Sequence, residues 1–375
     1  MKKIILFTIL SLVTIPFPAW TQTEPIETET FEAKIIEIIE EKEIQRENGT
    51  QTTQQNILLK GLNGTFEDKE LTYYGISDID VLSMTDNVFK KGDRVLINSS
   101  KDTDGNDQFF IMNYVRRGYL YVLALIFSIA IIAVGRKKGI RSLISLTITF
   151  FIIAKFIIPQ IISGSNPLLT ALIGSVAILG LIVYITEGFN KKTHIAILSI
   201  LISLLITFLL SYVFVNLAKL TGFSSEEASF LASMPQVNII DFRGLLLAAI
   251  MIGTLGVLDD VILGQIEAVN QIKKISPDLS KKKMVKSASE IGRTHLGSMV
   301  NTLFLTYAGA SLPLLILFSA NANTGVNLMN VLDNEFLATE IVRTLTGSIG
   351  LILAFPITTY LAVYFLKKDK KYEIQ

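Results

Sequence analysis

Two adjacent acidic residues, Asp259 and Asp260, lie within a stretch that otherwise has the composition of a membrane helix, residues 244–264. A carboxylate near the hydrocarbon core costs about 2.5–3.5 kcal/mol on insertion scales, so it needs a partner, a proton or a water-filled cavity. On a helix the two side chains point about 100° apart, which predicts different partners for them. Small residues and a second acid share the face of Asp260: Gly253, Gly256, Gly264 and Glu267.

A second stripe of small and polar residues recurs at helical spacing in residues 296–318: Ser298, Thr302, Thr306, Gly309 and Pro313, with Asn301 beside it. At about 1.5 Å per residue, Asp260 and Asn301 both lie about 6–8 Å inside the hydrocarbon boundary. If the two helices are neighbours, Asp260, Asn301 and Thr302 form one polar layer. Such a layer can bind a cation, relay a proton or simply hold the helices together.

These stripes define two sets of candidate residues. The candidate ligands for an ion or small solute are Asp260, Asp259, Asn301 and Thr302. The candidate helix-packing or helix-break residues are Gly253, Gly256, Gly264, Gly309 and Pro313. Glycines allow the close helix contacts by which membrane helices pack.

The chain from residue 116 to 366 is dominated by apolar runs long enough to span a bilayer, which takes about 20 residues. We predict seven spans: 118–135, 142–162, 167–186, 195–217, 244–264, 296–318 and 342–366. The loops and tail on one side carry 17 Lys and Arg residues, whereas the opposite loops between spans carry Lys219 and Arg243, with Arg343 at an edge. The positive-inside rule therefore places the basic tail, residues 367–375, in the cytoplasm.

The same rule places the N-terminal part of the chain outside the cell membrane, although Arg116 and Arg117 precede the first span on that side. Residues 1–22 have the charged start and short apolar run of a secretory signal that is cleaved; an uncleaved anchor is the alternative. Residues 23–115 form a separate domain, and its segment 24–113 is acidic, with 19 acidic and 9 basic side chains.

Short apolar runs in that domain have β character and are separated by turn dipeptides such as Asn-Gly: 33–39, 56–62, 94–98 and 109–115. The polar tract 40–55 is predicted to be a long hairpin loop. The predicted fold is therefore an all-α membrane bundle of about seven helices with an N-terminal, extracytoplasmic small β-barrel or sandwich.

Composition excludes several kinds of site. The chain has no Cys and two His, which excludes disulfides, thiolate metal sites and a paired-histidine zinc helix. A phosphate-binding Gly-Lys-Ser/Thr loop is absent, so we predict no cofactor and no ATP-driven chemistry. Residues 102–107 resemble part of a calcium loop but lack its distal Glu; a β-turn is the better interpretation, and no metal is assigned. The Lys run 281–286 is explained by topology or lipid headgroups, so no nucleic-acid partner is predicted.

Two longer blocks, residues 241–261 and 291–309, resemble the YibE/F-like family of bacterial multi-pass membrane proteins. The first contains Asp-Phe-Arg-Gly and Gly-Thr-Leu-Gly-Val-Leu-Asp-Asp, and the second contains Gly-Arg-Thr-His-Leu-Gly-Ser-Met-Val-Asn-Thr. The resemblance covers nearly the whole mature chain and implies an integral membrane protein with an extracytoplasmic β domain and a helical bundle. It implies no established activity. The family pattern favours Ser and Glu shortly after the Asp-Val pair, where this chain has Glu267 and Gln271.

Three classes of function follow from these features. The leading hypothesis is a secondary transporter or permease for an ion or small solute, in which Asp260 takes a cation or proton. The alternative is a non-transporting scaffold or accessory subunit whose β domain holds an envelope partner, or a homo-oligomer of such subunits. An intramembrane protease is disfavoured because its two aspartates are expected on different helices, and we therefore predict that the protein is not an enzyme. The lipid bilayer is a partner in either case.

Overall fold

A computed structural model describes most of the chain: residues 29–45, 51–76, 88–101, 105–234, 240–321 and 331–366. The predicted signal peptide, residues 1–22, the basic tail, residues 367–375, and the first half of the calcium-like segment, residues 102–104, lie outside the described residues. The chain divides into two compact units, Met1–Phe127 and Ser128–Gln375.

The N-terminal unit contains an antiparallel sheet in the order β3-β2-β1-β4-β5. Its strands are β1 (Glu29–Gln45), β2 (Gln51–Gly61), β3 (Glu70–Tyr74), β4 (Arg94–Lys101) and β5 (Asp107–Tyr114). Inward-facing side chains from β1, β2 and β4 form the buried core together with one residue of the β3–β4 connection: Phe31, Ala33, Ile35, Ile57, Leu59, Val95, Ile97 and Phe89. The four predicted β runs overlap β1, β2, β4 and β5, while β3 was not predicted.

The polar tract 40–55 differs from the predicted loop, because both of its ends are strand. Residues at the end of β1 pair with the start of β2, from Glu40 opposite Asn56 to Gln45 opposite Gln51. Polar cross-strand pairs replace an apolar core here: Gln55 donates to the Glu41 carboxylate at 3.0 Å, and Asn56 donates to Glu40 at 3.0 Å. Cross-strand polar pairs of this kind stabilise a ladder, and Gln55 is itself buried. The pairing of β1 with β2 therefore extends into the tract that composition predicted to be the hairpin loop.

The C-terminal part of the chain is helical. Its helices are α1 (Arg117–Ile152), α2 (Ile158–Ile162), α3 (Pro167–Glu187), α4 (Lys191–Leu217), α5 (Glu226–Ser233), α6 (Phe242–Ile275), α7 (Lys281–Ala310), α8 (Leu312–Asn321) and α9 (Glu335–Phe365). A π-helical turn, Ile153–Ile157, joins α1 to α2. Side chains that accept a hydrogen bond from the first helical turn begin most of the long helices: Asn166 for α3, Asn190 for α4, Asp241 for α6, Ser280 for α7 and Asn334 for α9.

Within the described residues, five helical stretches are long and apolar enough to cross a membrane: Arg117–Ile162, Pro167–Glu187, Lys191–Leu217, Phe242–Ile275 and Glu335–Phe365. The first stretch contains both of the first two predicted spans, and its backbone leaves the helical conformation at Arg136, where φ is +49°. The predicted span 296–318 is divided between α7 and α8 at Ser311, next to Pro313, whose ring and missing N–H oppose a continuous helix.

Helix α9 packs against α4, α6 and α7. Its contact with α4 follows a seam of fully buried hydroxyl residues spaced four apart: Ser199, Ser203, Thr207 and Ser211. The hydroxyls of the first three donate to carbonyls of their own helix, at 2.8–3.0 Å. Ser211 instead donates to Thr346 of α9 at 3.0 Å. Small side chains with internally satisfied hydroxyls let the two helices approach closely.

Candidate functional site

A cavity of about 440 Å³ lies between helices α6, α7 and α9, and Asp260 is in its wall. Apolar side chains from all three helices form much of the lining: Val261, Ile291, Leu296, Met299 and Phe355. Polar side chains complete it: Glu267, Gln265, Gln271 and His295. His295 was not among the candidate residues, because the comparison of depths paired Asp260 with Asn301 instead.

Two contacts hold the three helices in place around this cavity. The buried Gln265 side chain donates to the Ala288 carbonyl at 3.1 Å and to the Thr359 hydroxyl at 2.8 Å, so it joins α6 to both α7 and α9. Gly292 of α7 lies so close to the ring of Phe355 that a Cβ there would overlap the ring. The amide network and the glycine contact therefore fix which faces of the helices line the cavity.

The two carboxylates in the wall have different surroundings. Glu267 is paired with Lys192 of α4 at 2.8 Å and also accepts hydrogen bonds from Gln271 at 2.6 Å and Asn270 at 3.3 Å. No described residue forms a hydrogen bond or ion pair with Asp260. Asp260 therefore contributes the uncompensated negative charge of the cavity when it is ionised.

Asp259 lines a different, smaller cavity of about 110 Å³ on another side of α6, with Thr149, Ile153 and Ile178 among its neighbours. One carboxylate oxygen of Asp259 is buried without a hydrogen-bond partner among the described residues. Consecutive side chains on a helix are about 100° apart, which accounts for the separation of the two acids. The acidic pair is thus two separate features of one helix.

Asn301 and Thr302 do not join Asp260 in the described structure. Neither lines the cavity, and the Thr302 hydroxyl donates to the Ser298 carbonyl of its own helix at 2.9 Å. The reason is helical phase: the cavity face of α7 runs through residues 292, 295, 296 and 299. Asn301 is two residues beyond Met299, about 200° around the helix, so equal depth does not give equal direction.

The predicted packing glycines also separate into two groups. A Cβ at Gly253 would lie 3.0 Å from the Tyr307 hydroxyl, whereas Gly256, Gly264 and Gly309 have no described atom within 4 Å of that position. Pro313 is the second residue of α8. The closest helix contacts are instead made by Gly292 and by Gly350, where a Cβ would overlap Thr207 of α4. The four-residue spacing of Ser and Thr in α4 is a sequence signal that could have indicated the α4 side of this contact.

The Asp-Phe-Arg-Gly block has a structural role at the start of α6. Asp241 accepts a hydrogen bond from the Gly244 N–H at 3.0 Å and so caps the helix. The Phe242 ring packs on Phe223, with centroids 4.4 Å apart. Arg243 donates to the Leu220 carbonyl at 3.1 Å and to the Asn216 side chain at 3.2 Å. Together these contacts tie the start of α6 to the end of α4 and the segment that follows it.

Comparison with known families gives one match. The family described as YibE/F-like protein matches residues 123–368, which include every residue of the cavity wall and both motif blocks. No curated protein and no solved structure matches the chain.

Proposed function

The chain belongs to the YibE/F-like protein family, as its two motif blocks indicated, and from the cavity at Asp260 we propose that it is a secondary transporter or permease for an ion or small solute. The observation that carries this proposal is an acid without a described partner, in a small-molecule-sized cavity of an apolar helical bundle. Acids within membrane helices are costly and are usually functional. The sequence has no phosphate-binding loop, which favours a gradient as the source of energy.

The proposal includes a topology of seven spans in the cell membrane. The break at Arg136 separates the first two spans, and the 296–318 stretch of α7 and α8 supplies the sixth. With the β domain outside and the C-terminus in the cytoplasm, the turn between α6 and α7 is cytoplasmic. The cavity wall extends to Gln271 and Ile291, near that turn. Its substrate would therefore enter or leave from the cytoplasmic half of the bundle.

Asp260→Asn is expected to reduce proton or cation flux strongly in proteoliposomes under an imposed gradient, because it removes the cavity's unpaired charge. Asp259→Asn is the matched control: the same change, one residue away, facing the other cavity. We expect Asp260→Asn to reduce the initial flux at least about tenfold, a factor that corresponds to about 1.4 kcal/mol. Equal flux from wild type and Asp260→Asn, in variants that are equally monodisperse, would exclude the site.

A second function is favoured by a specific feature of the β domain. Its outermost strands, β3 and β5, approach each other, and a cleft of about 440 Å³ lies between them. The cleft is lined by apolar and acidic side chains, including Leu71, Tyr74, Phe110, Glu70 and Asp107. Tyr74 is 77% exposed and Phe110 is 49% exposed. A five-stranded, partly open barrel with such an edge can bind an extended segment of a partner, and the acidic residues favour a basic one.

A photo-crosslinking residue at Tyr74 is expected to trap an envelope partner in intact cells if the protein is a scaffold. Charge reversal by Glu70→Lys and Asp107→Lys should then reduce the crosslink strongly, because the basic segment is repelled. The same crosslinker at Lys42, on the distant polar hairpin, is the control. If neither charge reversal reduces the crosslink, the scaffold function is contradicted. A crosslink that persists in Asp260→Asn would show that partner binding does not depend on the transport site.

A further inference from the structure

The Asp260 cavity is far larger than an inorganic ion requires. Small-molecule sites in proteins typically occupy about 300–1,000 Å³, and a water molecule in the liquid takes about 30 Å³. The volume of about 440 Å³ is therefore that of a small organic molecule. A dehydrated ion would leave most of this space to be filled by something else.

The charge in the cavity wall points to a single positive charge on the occupant. Lys192 compensates Glu267, which leaves Asp260 as the carboxylate without a described partner. Nowhere in the part of the chain that the structure describes do three His, Asp or Glu side chains converge closely enough to hold a metal ion. A divalent metal is therefore a poor fit, because it requires several oxygen or nitrogen ligands at once.

The remaining wall is suited to an apolar body. Val261, Leu296 and Met299 contribute aliphatic side chains, and Phe355, a largely buried residue whose ring lies against Gly292, contributes an aromatic one. Aromatic faces attract organic ammonium groups, and apolar walls favour groups that leave water. A strongly hydrated ion gains nothing from such walls. The Gln265 amide already donates to Ala288 and Thr359, which leaves its oxygen and the second N–H of the Gln271 amide for an occupant.

We propose that this cavity binds a small organic cation, a protonated amine or quaternary ammonium with an apolar body, whose charge is balanced by Asp260. This inference rests on the proposed permease function and specifies its substrate class. Asp260 supplies the counter-charge, Phe355 and the aliphatic wall hold the body, and the amides orient it. His295 lies in the same wall.

The test is equilibrium binding of radiolabelled benzyltrimethylammonium to the full-length protein in nanodiscs. We expect saturable binding that weakens at least about tenfold in Asp260→Asn and is unchanged in Asp259→Asn. Gly264→Leu is a second, independent variant. The Cβ position of Gly264 has open space around it, so the leucine side chain would extend into the cavity and fill part of it. We expect Gly264→Leu to abolish binding while leaving the melting temperature near that of wild type.

Competition identifies the chemistry of the occupant. The uncharged isostere neopentylbenzene and a large excess of K⁺ or Mg²⁺ are expected to displace the label poorly. Equal displacement by neopentylbenzene would show an apolar groove for lipid chains and overturn the inference. Displacement by K⁺ or Mg²⁺ at ordinary concentrations would overturn it in favour of an inorganic ion.

The inference and the proposed function fail in distinguishable ways. Proton or K⁺ flux that depends on Asp260, without any benzyltrimethylammonium binding, would retain the permease and reject the organic cation. Saturable, Asp260-dependent binding without uptake of the label into proteoliposomes would retain the cation site and reject transport. Uptake that is lost in both Asp260→Asn and Gly264→Leu supports both.

Discussion

Gly292→Ala is expected to lower the stability of the purified protein by about 1–3 kcal/mol, the usual cost of overpacking a tight interior. A Cβ at this position would overlap the Phe355 ring and lie 2.8 Å from the oxygen of the Gln265 side chain, which is itself held by hydrogen bonds to Ala288 and Thr359. Fluorescence-detected size exclusion after heating measures the loss. The expected result is a clearly lower melting temperature and weaker monodispersity.

The same helix offers a matched control. Gly297 has no described atom within 4 Å of its Cβ position, so Gly297→Ala should leave stability unchanged or raise it slightly, since alanine is the better helix former. Shortening the ring by Phe355→Leu should restore much of the loss in a Gly292→Ala background, because the overlapping ring atoms are removed. Equal melting of the Gly292→Ala and Gly297→Ala variants would show that α7 and α9 are not in this contact.

Arg117→Ala is expected to destabilise the N-terminal unit by about 1–3 kcal/mol, the cost of leaving a buried polar group without its partner. The Glu32 side chain is 9% exposed, and Arg117 donates to its carboxylate. Half of the Arg117 side chain is still exposed, which keeps the expected value below that of a fully buried ion pair. Limited proteolysis of the intact protein, with fragments assigned to residues 29–116, measures the effect.

The neighbouring arginine provides the comparison. Arg116 donates to the exposed side chain of Asn113 at 3.3 Å, so Arg116→Ala should change stability by less than about 0.5 kcal/mol. Glu32→Gln in the Arg117→Ala background should recover part of the loss, because the unpaired charge is gone. Equal protease sensitivity of the two arginine variants would contradict the role of the ion pair. The pairing also gives Arg117 a structural reason to precede the first span, where it opposed the predicted orientation.

Hydropathy located the apolar helices well because burial in lipid requires long uninterrupted apolar runs. It was least informative for α7, whose first half is charged, from Lys281 to Arg293, and whose apolar half is interrupted near Pro313. Strand β3 was missed for a different reason. Its five residues, Glu70–Tyr74, are short and polar at the start, and they are defined by pairing with β2 rather than by their own pattern.

Asp260 could be predicted from the sequence, but the residues that surround it in the cavity could not. Asp260 is conspicuous in sequence because ionisable residues are rare within spans. Which residues face it depends on the rotation of α7, and an error of two residues turns a side chain by about 200°. That is why Asn301 was expected at the site and His295 was not. The contacts of Gly292 with Phe355 and of Gly350 with Thr207 join distant parts of the chain, so the spacing within one helix does not identify the partner residue.

The hydroxyl seam between α4 and α9 has a mechanical consequence. Because Ser199, Ser203 and Thr207 are satisfied by their own helix, displacing α4 along α9 would break few hydrogen bonds. Among these four hydroxyl residues of α4, Ser211 forms a hydrogen bond across to α9, with Thr346. Resistance to such sliding comes instead from shape, where Thr207 is seated against Gly350. The α4–α9 interface therefore opposes sliding mainly through the steric contact of Thr207 with Gly350. A larger side chain at position 350 would change the relative position of the two helices at which they pack.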